Sequence, residues 1–315
     1  MISEYRYERL NDENIIDLLP LYFDAFRETR TLKEVKAKFN TSVFGVSNIA
    51  IIAYDQNNTV AAFYALFPAN IVRKGKSIIA AQVGDLMTHS NHRRKGLFLE
   101  LASRTHALAV KDGIEMIFTI PYGENSSYRG FIEHLKFRKL YSLSEYEIKT
   151  NTLPIAAMSE KINWLKIVYA KFSKVVLSKY EHLTKFSERA NDDNDIVEIQ
   201  KDEQFFEYKM HSNTYLIKLG ETEFWFKIKK GTIMVGDIRN LQTKAVPHFV
   251  KEVKWLCFLL GIRVAQFDVA PNSVQNKALS SLLKPSAFHY HVLVLNSVDK
   301  FSEEVSFCLG DLDSF

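Results

Sequence analysis

Cysteine is scarce in this chain. Cys257 and Cys308 are the only two, too few for the disulfide frameworks that hold small secreted domains together. Long apolar runs are also missing. The most hydrophobic window, Trp255 to Leu260, falls far short of the ~20 residues that a membrane-crossing helix needs. The opening stretch Met1 to Asn14 lacks the apolar core of a signal peptide, so the expected compartment is a reducing cytoplasm. Charge of one sign is not in marked excess either. The 41 basic residues exceed the 37 acidic ones by four, too little to imply a nucleic-acid partner without a concentrated patch. What is present is ample core material, since 315 residues with 47% hydrophobic content can bury one or two ordinary cores.

The apolar pattern gives an element order. Tyr5 to Leu10 alternates as a strand, and Asn11 and Asp12 offer caps for a helix running to about Arg27, followed by a second helical pattern at Lys33 to Phe39. Strands are expected at Asn48 to Tyr54, Thr59 to Ile71 and Ser77 to Met87, the first two joined by a turn at Asp55 to Asn58. A helix from Gly96 to about Lys111, a strand at Ile114 to Ile120, a short helix to Leu135 and a closing strand from Phe137 complete the first part. The order βααβββαβαβ is an α/β arrangement.

Between the third of these strands and the long helix lies Ser90-Asn91-His92-Arg93-Arg94-Lys95-Gly96-Leu97-Phe98. A loop leading into a helix start collects unpaired N–H groups and the positive end of the helix dipole. Such a spot attracts a phosphate or pyrophosphate. Gly96 lets the ligand approach the backbone, and Arg93, Arg94 and Lys95 supply charge-assisted donors.

From Leu86 through Phe98 the sequence resembles the acetyl-coenzyme A loop of GNAT-type N-acetyltransferases, Arg/Gln-x-x-Gly-x-Gly/Ala, with Arg93 and Gly96 on the pattern. Phe98 departs from it, standing where Gly or Ala is usual. The segment Ile120 to Phe131 is similar to the Phe-Pro-Asn-x-x-Ser stretch of a subgroup, and Leu135-Lys136-Phe137 stands where Leu-Gly-Phe is common. The resemblance covers residues 1 to 150. It implies acetyl-coenzyme A as cosubstrate and no metal. It places the backbone of Leu86, Met87 and Thr88 beside the pantetheine and acetyl carbonyl where two strands splay. Arg93, Arg94, Lys95, Gly96, Leu97 and Phe98 would hold the pyrophosphate, and Asn125 would contact the coenzyme. The family tyrosine that protonates the departing thiolate is replaced by Ile132, leaving Tyr128 and Tyr122 as substitutes. Acetyl transfer also needs a group to take the amine proton, and Asp85, then Glu124 and His89, are the residues near the expected cleft. The bulk of Phe98 and Met87 near the acyl position favours an acetyl group.

Lys161 to Tyr180 reads as a basic amphipathic helix. Trp164, Leu165, Val168, Tyr169, Phe172, Val175 and Val176 form one face, and Lys166, Lys171 and Lys174 the other. The expected fate of its apolar stripe is packing on a neighbouring domain rather than attachment to a membrane surface. Ser187 to Asp195, polar and rich in turn residues, reads as a linker or an exposed loop. Beyond it, landmarks of the first part return in order: Val83-Gly84-Asp85 as Val235-Gly236-Asp237, Gly113-Ile114 as Gly261-Ile262, and Pro121 and Asn125 as Pro271 and Asn272. Gln275 to Leu283 matches the short helix, and His289 to Leu295 the closing strand. This ordered series is read as an internal duplication. The second copy lacks the chemistry, because Arg239 to Pro247 is shorter and contains no glycine.

The expected architecture is therefore tandem GNAT-like mixed sheets flanked by helices. Residues 1–150 form a coenzyme-binding domain, 151–195 a helix and linker, and 196–315 a degenerate copy in which Tyr208, His211, Tyr215 and Trp225 are pocket candidates. The expected activity is acetyl transfer to the amine of a small molecule, such as an amino sugar or sugar nucleotide, with no nucleic-acid partner. An aminoacyl-tRNA-dependent transferase of the peptidoglycan type and a non-catalytic acyl-coenzyme A module are the alternatives.

Overall fold

The computed structural model describes residues 4–73, 76–187, 197–209, 213–296 and 305–315. The expected linker from 188 to 195, and His211, lie outside them. The chain divides into two compact units, the first of residues 1–140, 197–200 and 292–304, the second of 141–196, 201–291 and 305–315.

The first unit follows the expected order. β1 (Arg6–Arg9) leads to α1 (Leu18–Phe26) and α2 (Leu32–Phe39), then β2 (Ile49–Tyr54), β3 (Val60–Arg73) and β4 (Lys76–Thr88). α3 (Leu97–Lys111), β5 (Met116–Thr119), α4 (Ser126–Arg129), a wide turn at Gly130–His134 and β6 (Arg138–Ser142) follow. Local chemistry sets the ends. Thr31 and Glu34 form a reciprocal capping box at α2, and Asp55 Oδ1 accepts the N–H groups of Asn57 and Thr59 to close the β2–β3 turn.

The remaining elements are β7 (Ser144–Lys149), α5 (Ile155–Ser159), α6 (Asn163–Leu177), β8 (Glu198–Ile199), α7 (Glu203–Lys209), β9 (Tyr215–Leu219), β10 (Thr222–Lys229), β11 (Thr232–Arg239), α8 (Val246–Leu260), β12 (Val264–Val269), α9 (Val274–Leu279) and β13 (His291–Asn296). Two strands depart from the sequence expectation. The closing strand of the first part breaks at Leu143, and its second half, β7, pairs antiparallel with β12 in the second sheet. β13, expected to close the second copy, pairs antiparallel with β5 in the first. The first sheet thus runs β1-β2-β3-β4-β5-β13-β6, with β8 on β3, and the second β7-β12-β11-β10-β9.

Each sheet is packed on its own core. In the first unit, Leu97, Leu101 and Ala102 of α3 bury against Tyr64, Leu66, Ala81 and Val83 on one face. Leu18, Leu21 and Tyr22 of α1 and Val35 and Phe39 of α2 cover Phe63, Ala65, Phe67 and Met87 on the other. Each fully buried leucine or phenylalanine contributes about 1.5–3 kcal/mol, so both faces of β3 and β4 are firmly held. In the second unit, α8 packs through Phe249, Val253, Leu256 and Leu260 on Phe224, Phe226, Ile233 and Phe267.

α6 does not pack as expected. Ser173, Val176 and Leu177 point inward, whereas Trp164, Val168, Phe172 and Val175 are exposed. Trp225, a pocket candidate from sequence, is a fully buried core residue set edge-on to Phe206 and Phe315.

Candidate active site

β4 and β5 are parallel partners only at Ala80–Met116, Ala81–Ile117 and Gln82–Phe118. Beyond Gln82 they part, and β4 continues to Thr88 with no strand on that edge among the described residues. Its other edge stays on β3 through a bulge, with Gly84 opposite Ala65 and Met87 opposite Phe63, so β4 carries one extra residue. Asp85 sits in this bulge with φ 46°, a left-handed conformation that Asp tolerates better than most side chains. His89 N–H donates to Ala61 O at 2.9 Å. Because successive N–H groups of a strand point to opposite edges, the Thr88 N–H and carbonyl turn toward the open side. Arg93 Nε meets that carbonyl at 3.5 Å.

The bulge is fastened to both opening helices. Lys38 Nζ of α2 lies 2.7 Å from Asp85 Oδ1, and the Tyr22 hydroxyl of α1 donates to Oδ2. The two partners are 47 and 63 residues distant in sequence, and no local signal pointed to them. Asp85 is thus an anchored acceptor on the face of β4 that meets α1 and α2.

The loop after β4 is anchored as well. Ser90 donates its N–H and hydroxyl to Asp24 at 2.7 and 2.9 Å, and His89 Nδ1 accepts the Asn91 N–H at 3.3 Å. His92 Nδ1 lies 3.0 Å from the Tyr5 hydroxyl. Burial and the Lys95 charge push the His92 pKa below its usual range. Past His92 the side chains of Arg93, Arg94 and Lys95 are exposed. Arg94 and Gly96 both take left-handed backbone, φ 63° and 78°. Gly96 is the N-cap of α3 and offers no side chain to its first turn, so the Gly96, Leu97 and Phe98 N–H groups stand together without a protein acceptor among the described residues. Three cations and an uncapped helix start therefore adjoin the unpaired edge of β4.

Phe98 explains its own departure from the loop pattern. Its ring lies so close to Gly130 that a Cβ there would sit 2.7 Å from Cε1, and it packs edge-on against Phe131 at 5.6 Å between ring centres. A large residue on α3 is matched by the absence of one after α4. That pairing, 32 residues long, was invisible without the fold, and it directs the Phe98 ring onto Gly130 and Phe131. Met87 is likewise taken up by the core on the α1 and α2 side.

After β5 the chain carries the other proposed groups. Asn125 Oδ1 accepts the Tyr128 N–H at 3.0 Å and its Nδ2 donates to Tyr122 O at 3.3 Å, so its side chain starts α4. Glu124 is exposed, 4.0 Å from Lys139. Tyr128 is half-buried, and burial, with the Glu124 charge, raises its phenol pKa above the ordinary value. Ile132 packs against the α3 core.

A splayed parallel pair, a bulged strand and a basic glycine loop opening a helix converge within this stretch. Residues 6–131 match the family model of the acetyltransferase (GNAT) domain. Among curated proteins no sequence matches the chain. Solved structures share its fold at low identity. A probable N-acyltransferase from Enterococcus faecalis has 11% identity and a TM-score of 0.60, covering 96% of this chain and 73% of that one. A Pyrococcus horikoshii protein assigned as an acetyltransferase has 14% identity and a TM-score of 0.57, covering 99% and 95%. The Saccharomyces cerevisiae N-myristoyltransferase, solved with myristoyl-CoA, has 11% identity and a TM-score of 0.56, covering 94% and 80%.

The second unit repeats the splay of the first but closes it. β11 and β12 are parallel partners from Thr232–Val264 to Val235–Phe267 and no further, and Gly236 forms a bulge opposite Trp225 and Phe226. Into this opening comes the segment 305–311. Cys308 bridges to Val269 on the edge of β12 that β7 leaves free, and Gly310 lies so close to Gly236 that a Cβ there would be 2.9 Å from its carbonyl carbon and 2.1 Å from the Trp225 ring. Lys201 Nζ joins the two sides, 2.8 Å from Asp237 on β11 and 2.9 Å from Asp311, with all three side chains at most 2% exposed. No metal-binding group of His, Cys, Asp or Glu occurs among the described residues.

Proposed function

We propose that the GNAT domain of the first unit binds acetyl-coenzyme A and transfers the acetyl group to the amine of a small molecule, with an amino sugar or sugar nucleotide as the acceptor class. The observation that carries this reading is the open edge of β4 running directly into the uncapped start of α3 beside Arg93, Arg94 and Lys95. The loop residues suit a pyrophosphate, and the outward Thr88 N–H suits a thioester oxygen on which charge develops. Asn125, Tyr128 and Glu124 stand on the opposite side of the splay, where they would line the coenzyme and acceptor. In this reading Asp85, already bound by Lys38 and Tyr22, positions the bulge, and the proton of the thiol comes from Tyr128 or solvent. The likeness in fold to N-acyltransferases adds support. The second unit, read as a degenerate copy whose splay holds segment 305–311, binds no coenzyme.

Calorimetric titration with acetyl-coenzyme A should therefore show one site per chain. Arg93→Ala and Lys95→Ala, both at exposed positions, should each weaken binding by about 1.5–3 kcal/mol if they donate to the phosphates. Gly96→Val should do at least as much by blocking the backbone, and Gln242→Val in the equivalent stretch of the second unit should do nothing. Two sites, or equal losses from Gly96→Val and Gln242→Val, would overturn the assignment. Release of free thiol with a panel of amines then separates a transferase from a module that only binds the coenzyme.

A further inference from the structure

The outer face of α6 is apolar and uncovered. Trp164, Ile167 and Val175 are 63%, 62% and 63% exposed, with Val168 and Phe172 between them on the same outward stripe. The opposite side of the helix is held down, by the buried Val176 and Leu177 and by the Tyr169 hydroxyl, which donates to Leu260 O at 2.9 Å. On α8, to which Tyr169 is bonded, Trp255 and Phe258 are stacked 5.6 Å apart and also exposed. Of twenty exposed large apolar side chains among the described residues, eleven come from residues 153–175 and α8. Such clustering is unlike the scattered exposure of an ordinary surface and marks an interaction site.

Charge accompanies this face. Residues 153–180 contain five lysines, Lys161, Lys166, Lys171, Lys174 and Lys179, against the single acid Glu160. Among the described residues only Lys166 has an acidic partner, Glu160 at 3.5 Å. Lys251 and Lys254 stand one turn before Trp255 and Phe258.

We infer that this face docks on an anionic lipid surface, with the aromatic and aliphatic side chains entering the headgroup boundary and the lysines meeting lipid phosphates and carboxylates. Trp and Phe flanked by lysine, on a helix lying along the interface, is the composition that such binding requires. The attachment is peripheral, since no helix among the described residues is long and apolar enough to cross a membrane. A second copy of the chain fits less well, because a symmetric contact would set two lysine-rich faces against each other. An amphipathic peptide would need a groove, and these residues stand on the outward sides of α6 and α8.

The full chain should sediment with phosphatidylcholine vesicles that contain phosphatidylserine and far less with pure phosphatidylcholine, and rising salt should release it. Trp164 and Trp255 are exposed while Trp225 is buried, so insertion should shift tryptophan emission to the blue. Val168→Asp combined with Val175→Asp, at exposed positions that leave thermal stability intact, should weaken vesicle binding at least tenfold. Lys171→Glu combined with Lys174→Glu should cost about tenfold or more on the anionic vesicles alone. Failure to sediment with anionic vesicles, equal binding to both vesicle types, or unchanged binding of the variants would each overturn the inference. So would a dimer in analytical ultracentrifugation that Val175→Asp dissolves, which would assign the face to a second copy.

Discussion

Lys201→Met is expected to lower the unfolding free energy of the second unit by roughly 3–5 kcal/mol, the usual cost of removing one partner from a buried ion pair. The Lys201 ammonium lies between Asp237 and Asp311 and 3.3 Å from Cys308 Sγ, in surroundings that leave it 2% exposed. Methionine fills similar volume but strands two carboxylates away from water. It also removes the tie between β11 and segment 305–311, so the segment should loosen from the splay. All three tryptophans, Trp164, Trp225 and Trp255, belong to the second unit. Denaturant unfolding followed by tryptophan emission therefore reads this unit. Lys149→Met is the matched control, because the Lys149–Glu147 pair is 2.8 Å long but its lysine is 74% exposed, and solvent-exposed pairs contribute little. Adding Asp311→Asn to Lys201→Met should recover part of the loss by removing one stranded charge. A loss below about 1 kcal/mol, comparable to the control, would mean that water reaches the cluster and that segment 305–311 is held by packing alone.

The local parts of this molecule were legible in its sequence, and the long-range parts were not. Alternation and helical spacing gave the element order of the first unit because both report burial one element at a time. The glycine loop was legible for the same reason, since Gly96 and its cations lie within a few residues. A strand's pattern says which side chains face a core but not whose core. β7 buries Tyr146 and Ile148 and β13 buries Val292 and Leu293, as either would in its own sheet, yet each joins the other sheet. The anchoring of Asp85 by Tyr22 and Lys38, and the fit of Phe98 to Gly130, likewise join residues that only the fold brings together. For α6 the spacing correctly gave an amphipathic helix. It did not decide the outcome, because apolar residues occupy more of the helix than one contact can cover, and Leu165, Tyr169 and Val176 take the inward side.

At pH 8 Asp268→Asn is expected to stabilise the second unit, by as much as about 4 kcal/mol, while near pH 4 the variant and the parent should differ little. Asp268 is fully buried on β12 opposite Glu145 of β7. Its Oδ2 accepts the Gln266 amide at 2.8 Å, and its Oδ1 has no partner among the described residues. Burial, first, and the Glu145 charge lift its pKa to about 7, against the lowering effects of Gln266 and of His289, which is itself 3.0 Å from Glu145. In the unfolded chain the group returns to about 3.8. Between those two values the folded state holds a proton that the unfolded state has released, so the unfolding free energy falls as pH rises. Across the whole window the loss approaches about 4 kcal/mol, at 1.36 kcal/mol per pH unit. Asparagine is neutral throughout and removes that slope, keeping an oxygen for Gln266 and an N–H where the protonated carboxyl would donate. Thermal melts followed by tryptophan emission at half-unit pH steps test the sign directly. Parallel curves for parent and variant from pH 4 to 8 would mean that Asp268 stays ionised and finds a partner in its buried setting, and would overturn the assignment of the pH dependence to this carboxyl.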